Sequence, residues 1–213
     1  MRNRNSLLTA LIVLGAFAAG QAEGEPIQLP APKTEGGMPL MQALKARQST
    51  RSFSDKKLTD QTLSNLLWAA FGVNRSESGK RTAPSARNWQ EIDIYVLVAE
   101  GVYIYDAVNH ALIPVLDKDV RALAGTQDFV KSAPLNLVYV ADFERMGEAA
   151  AEQKVFYSAA DTGFIGQNVY LFCASEGLGC VMRGLIDKSE LAQALGLKAD
   201  QRVILGQTVG YPQ

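Results

Sequence analysis

Apolar residues recur along this chain with two periods. After Pro39, set at a first-turn position where its missing N–H costs nothing, Leu40, Met41 and Leu44 form the stripe of a helix that runs to Arg47. Thr59 caps a second helix, in which Leu63, Leu66, Leu67, Ala70 and Phe71 return every three or four residues until Gly72 stops it. Period two takes over at Ile92, Ile94, Val96 and Val98, turns at Glu100-Gly101, and continues through Val102 to Tyr105 and Ala111 to Leu116. That pattern predicts an antiparallel meander. Short helices are predicted over Asp117 to Ala124 and Gln127 to Ser132, and Leu135 to Val140, apolar apart from Asn136, reads as a buried strand. The longest helical pattern runs from Glu148 to Glu176, with Val155, Phe156, Ala159, Phe164, Ile165, Val169, Leu171 and Phe172 spread around it. So broad an apolar surface predicts a central helix covered on several sides, including by another subunit. Gly177-Leu178-Gly179 ends it, then come a strand from Cys180 to Arg183, a helix capped by Asp187 and ending at Leu195, and a last strand from Arg202 to Tyr211. No βαβ unit repeats, so the class is α+β with a mainly antiparallel sheet.

Two segments carry no period. Val73 to Gln90 is long for a structureless connection, and long ordered loops in compact domains are disproportionately functional. Within it, Pro84-Ser85-Ala86-Arg87-Asn88 offers a rigid turn followed by a side-chain amide, a group that both donates and accepts on a heterocycle edge. The other segment is the N-terminus. Arg2 and Arg4 precede the apolar run Leu7 to Ala19 and the small-residue stretch Gly20-Gln21-Ala22, the layout of a secretory signal. Residues 1–22 are therefore expected to be a cleaved signal peptide, with an uncleaved anchor as the alternative, because the run is shorter than the about 20 apolar residues of a bilayer span. Residues 23–37, holding Pro26, Pro30, Pro32 and Gly36-Gly37, read as a flexible linker, and residues 38–213 as one domain exported to the periplasm.

Composition narrows the partners. Lysine and arginine number 21 against 22 acidic residues, which leaves no global field for nucleic acid or an anionic membrane. The single histidine, His110, sits beside Asn109 in a hairpin turn, so a histidine-rich metal site is excluded within one chain and no metal site is expected. Cys173 falls inside the long helix and Cys180 just past its stop, which favours two buried free thiols over a disulfide.

The densest chemistry lies in Arg47-Gln48-Ser49-Thr50-Arg51-Ser52-Phe53. Two guanidiniums four residues apart, with hydroxyls between them, can surround a dianion such as a phosphate. A solvated basic turn is the alternative.

This stretch resembles the N-terminal Arg-x-Ser-x-Arg/Lys-x-Phe motif of FMN-dependent nitroreductases. Leu66-Leu67-Trp68-Ala69-Ala70-Phe71-Gly72, Pro84-Ser85-Ala86-x-Asn88-x-Gln90 and Gly177-Leu178-Gly179 match later landmarks of that family in order, so the resemblance spans about Met38 to Pro212. It implies a nitroreductase-like α+β sandwich, a central sheet flanked by helices, with the long helix at a homodimer interface and two FMN sites between subunits. It also implies that Arg47, Gln48, Ser49 and Arg51 bind the FMN phosphate and ribityl chain, with Arg51 reaching toward the pyrimidine. Pro84, Ser85 and Asn88 would line the isoalloxazine edge, and backbone around Arg183 and Gly184 would face N5. No side chain is then expected to be catalytic, because N5 of the flavin carries the chemistry, with Arg51 as electrostatic support.

The implied activity is ping-pong transfer from a small-molecule donor, NAD(P)H in the family, to nitro, quinone or related organic acceptors. An exported member would meet little nicotinamide, so the alternatives are a dehydrogenase or oxidase with a non-nicotinamide donor, or a flavin-binding protein without turnover. The chain departs from the family at its end, where Tyr211-Pro212-Gln213 replaces a basic pair that often completes the phosphate site. Either Arg183 or another loop cation takes that place, or phosphate binding is weaker.

Overall fold

The computed structural model describes residues 24–213, so the expected signal peptide lies outside the described residues. In chain order the elements are β1 (Ile27–Gln28), α1 (Leu40–Ala46), α2 (Asp60–Phe71), β2 (Val73–Arg75), β3 (Lys80–Arg81), β4 (Ile92–Val98), β5 (Gly101–Asp106), β6 (Ala111–Leu116), α3 (Asp128–Ser132), β7 (Leu135–Asp142), α4 (Ala151–Ser175), β8 (Gly179–Arg183), α5 (Lys188–Ala194) and β9 (Gln201–Gly210). Thr59 caps α2 by accepting from the Thr62 N–H, and Asp187 caps α5 by accepting from Ser189 and Glu190. Over Asp117 to Ala124 the expected helix is only a 3₁₀ turn, Arg121–Ala124.

Seven strands form one sheet in the order β1-β6-β5-β4-β7-β9-β8, every neighbouring pair antiparallel. The sheet is covered on both faces. Ile94 and Val96 of β4 face one core with Leu66, Leu67 and Ala70 of α2 and Ile165, Val169 and Cys173 of α4. Tyr95 and Leu97, alternating with them, face a second core with Leu191 and Leu195 beside α5 and Ala124 of the 3₁₀ turn. Two covered faces explain why β7 is buried from Leu135 to Ala141 and reads as a continuous apolar run. Both cysteines are free and buried.

Residues 24–38 are not a loose tether. Ile27 and Gln28 pair with Leu112 and Ala111 at the sheet edge, and Leu29 is buried. The segment then runs over the polar side of α2: Ser64 Oγ donates to Pro30 O at 2.6 Å, Gln61 Nε2 to Ala31 O at 2.9 Å, and the Lys33 N–H to Asn65 Oδ1 at 2.8 Å. The Met38 N–H closes the strap on Ser175 Oγ at 2.7 Å. Prolines deprive this chain of a repeating pattern, but their carbonyls remain good acceptors, and α2 supplies the donors. His110 is likewise more than a surface turn residue. Its Nε2 lies 2.8 Å from Ser64 Oγ and 3.1 Å from Pro30 O, and its Nδ1 2.9 Å from the Tyr105 hydroxyl, so it clasps the β5–β6 turn to the strap and α2. Burial lowers its pKa, in keeping with a neutral ring.

Candidate functional site

Where α1 stops at Arg47, the chain turns extended and follows the edge of β8. The Thr50 N–H donates to Cys180 O at 3.0 Å, and Ser54 N–H to Tyr211 O at 2.9 Å, while Phe53 bridges to Pro212. Gly179 makes the approach possible, since a Cβ there would stand 2.8 Å from Thr50 Cγ2. This route sets the Arg47–Arg51 stretch beside the C-terminal half of α4, where Tyr170 organises it. The Arg47 guanidinium lies 5.2 Å from the Tyr170 ring centre. The Tyr170 hydroxyl accepts the Met182 N–H at 2.8 Å and sits 3.0 Å from Ser49 Oγ. Gln48, Ser49 and Arg51 are exposed, and among the described residues neither Arg47 nor Arg51 has an ion-pair partner. Two uncommitted guanidiniums and a held hydroxyl suit a phosphate dianion, and a cavity of about 240 Å³ lined by Gln48, Thr50, Tyr170 and Pro212 lies alongside. Sequence reasoning missed Tyr170; its one signal is a hydroxyl between Val169 and Leu171 in an apolar helix.

The loop from Pro84 to Asn88 is built differently. Arg87, Asn88 and Gln90 all have left-handed φ, at 51°, 57° and 49°, a conformation that non-glycine residues adopt only when neighbours hold it. The holding bonds are short-range: the Gln90 N–H donates to Ser85 Oγ at 3.0 Å, Gln90 Nε2 to Asn88 Oδ1 at 3.1 Å, and Arg81 Nε to Gln90 Oε1 at 2.8 Å. Trp89 packs on Tyr157 of α4 with ring centres 5.8 Å apart, and the Ala86 N–H donates to Asp161 Oδ2 of the same helix at 2.8 Å. Pro84 and Asn88 remain exposed. The segment Val73 to Gln90 is thus ordered throughout, starting with the β2–β3 hairpin.

Both clusters therefore stand on α4, but not at one place. Tyr170 lies nine residues beyond Asp161, about 13 Å along the axis and half a turn around it. The chain presents the Arg47–Arg51 stretch on one side of the helix and the loop on the other.

Arg183 corrects one expectation. Its side chain turns inward, is 4% exposed, and donates from Nε to Thr208 Oγ1 and from Nη2 to Asn136 Oδ1, both at 3.0 Å, with Nη1 on Ala124 O. Desolvation lowers its pKa to about 10, and it ties the 3₁₀ turn to β7, β8 and β9. It therefore cannot stand in for the basic pair at the phosphate; the cation beside the C-terminal residues is Lys56, whose Nζ lies 4.2 Å from the Tyr211 ring centre. Gly184, next in the chain, is exposed at the end of β8.

A family model for the nitroreductase family matches residues 44–211. A protein from Methanocaldococcus jannaschii described as a nitroreductase is 34% identical over a 185-residue alignment that covers 82% of this chain and 92% of that one. The NADPH-flavin oxidoreductase of Vibrio harveyi is 30% identical over 81% of this chain and 65% of its own length. Among solved structures, a Ralstonia eutropha protein described as a nitroreductase superposes with a TM-score of 0.85 at 44% identity, covering 93% of this chain and 92% of that one.

Proposed function

The chain belongs to the nitroreductase family, and from that premise we propose that it is an FMN-dependent oxidoreductase that passes reducing equivalents from a small-molecule donor to nitro, quinone or related organic acceptors. The observation that carries this reading is the Tyr170-centred grip: Arg47 and Ser49 held on one side chain, with Arg51 two residues further on exposed and without an ion-pair partner among the described residues. FMN, when bound, would supply hydride acceptance and donation at N5 in a ping-pong cycle. Arg47 and Ser49 would hold its phosphate, and Arg51 would place a fixed positive charge against the negative charge of the reduced flavin. Pro84, Ser85 and Asn88 would shape the ring edge, on a loop whose backbone is already set before any ligand arrives.

A homodimer completes the site in this reading. Because grip and loop lie on opposite sides of α4, a second copy is needed to bring the grip of one chain to the loop of the other. Val155, Phe156 and Phe164 of α4 are 61%, 66% and 49% exposed, and with Leu40 and Met41 of α1 they offer the apolar surface for that contact. The leader pattern supports export to the periplasm, where a donor other than NAD(P)H would serve. No helix among the described residues is long and apolar enough to cross a membrane.

The test is the visible spectrum of the purified protein, reconstituted with FMN, before and after anaerobic NADH and NADPH. Rapid bleaching establishes a nicotinamide-linked reductase. Reduction by dithionite alone points to another donor, and failure to bind FMN removes the proposal.

A further inference from the structure

Below the Pro84–Asn88 loop lies a group with no explanation in the chemistry above. Glu91, the residue before β4, is 0% exposed, and neither carboxyl oxygen meets a protein donor. Its main chain is fixed, since Glu91 O accepts the Asp142 N–H at 2.8 Å. Its carboxyl neighbours Asp161, itself 2% exposed, whose Oδ2 takes the Ala86 N–H. Two buried carboxylates side by side repel, and neither brings a proton donor while ionised. A single proton between them removes both costs.

We propose that Glu91 carries that proton and donates it in a hydrogen bond to the Asp161 carboxylate, making Glu91 the positioning residue that lets Asp161 hold Ala86 and hence the loop. The roles follow from the partners: Asp161 accepts the Ala86 N–H in a 2.8 Å bond, which favours its ionised form, whereas the Glu91 oxygens meet no donor at hydrogen-bond geometry and feel only the pull of their own residue's backbone N–H, which burial outweighs. Burial followed by Asp161 pushes the Glu91 pKa up to about 7, and burial also raises that of Asp161. The charged groups facing the pair are few. Arg145, from the turn after β7, bears on Glu91, but its guanidinium is committed to Asp93 through two 2.8 Å bonds and to Gln90 O. Arg87 of the loop stacks on Trp89. Above neutral pH the proton leaves, two adjacent anions remain, and the loop loosens.

That the loosened loop also weakens flavin contact rests on the function proposed above; the hold of the pair on the loop does not. Hydrogen exchange of the full chain without flavin, at pH 6, 7 and 8, reads the hold directly. Protection of the Ala86 to Gln90 amides, corrected for intrinsic rates, is expected to fall by about tenfold across this range in the wild type. In Glu91→Gln, whose amide donates to Asp161 at every pH, it stays level. FMN dissociation constants at the same pH values follow the same pattern if the loop meets the flavin. Protection that is level in the wild type, or that falls equally in Glu91→Gln, overturns the proposal. If Glu91→Gln proves unstable, a protonated-carboxyl infrared band in the wild type at pH 6 that fades toward pH 8 supports it, and absence of that band overturns it.

Discussion

Arg51 and Tyr170 answer opposite demands. Arg51 is exposed and has no ion pair among the described residues, so its charge does nothing evident for the fold. Arg51→Gln should leave thermal stability within about 0.5 kcal/mol of wild type. It should weaken FMN binding by about 1.5–3 kcal/mol, a charge-assisted hydrogen bond's worth, in a fluorescence titration. Tyr170 serves the fold first. Tyr170→Phe strips the Met182 N–H of its acceptor and Ser49 of its neighbour, so it should cost about 1–2 kcal/mol in urea unfolding in addition to weakening FMN. Glu91 adds a pH dependence with a definite sign. Its folded pKa, about 7, exceeds the ordinary 4.5, so the folded state binds more protons, and stability falls as pH rises from about 4.5 to 7. The drop is on the order of 2–3 kcal/mol, and melting curves of Glu91→Gln should lose that slope. The Arg-rich stretch was legible in sequence because its groups are consecutive. Tyr170, Asp161 and Glu91 were not, because their roles come from residues up to 121 positions away.

Among whole elements, α2 was legible because one face is buried and the other is not, and the central strands β4 and β7, covered on both faces, were legible as apolar runs bounded by turn residues. Thr59, Asp187 and Gly177 punctuated α2, α5 and α4 as their chemistry requires. The strap was misread because it packs without a period, giving its carbonyls to Gln61 and Ser64 and only one apolar side chain, Leu29, to the core. Leu29→Ala separates the two descriptions. If the segment were a flexible tether the substitution would be silent; docked as found, it should destabilise the domain by about 2–3 kcal/mol in urea unfolding with no change in FMN spectrum. Arg183 teaches a related lesson. Its number in the chain said that it ends a strand, but only the packing of Ala124, Asn136 and Thr208 around it decides that the guanidinium points inward.

For the molecule as a whole, the proposed function makes α4 the link between assembly and cofactor. The grip and the loop stand about 13 Å apart along one helix and on opposite sides of it, so the site proposed above draws its two halves from two copies. If a second copy closes it, every FMN contact of the loop is lost when the copies part, even with all site residues intact. Phe156 and Phe164 are the side chains to change, being largely exposed and outside both cores. The double variant Phe156→Glu, Phe164→Glu should keep its far-ultraviolet spectrum, run as a monomer in light scattering where the proposal expects the wild type to run as a dimer, and bind FMN at least tenfold more weakly. Arg51→Gln is the matching control, expected to lose FMN affinity while remaining a dimer. A monomeric double variant with wild-type FMN affinity would place the whole site within one chain, and the arrangement of grip and loop around α4 would then need another reason.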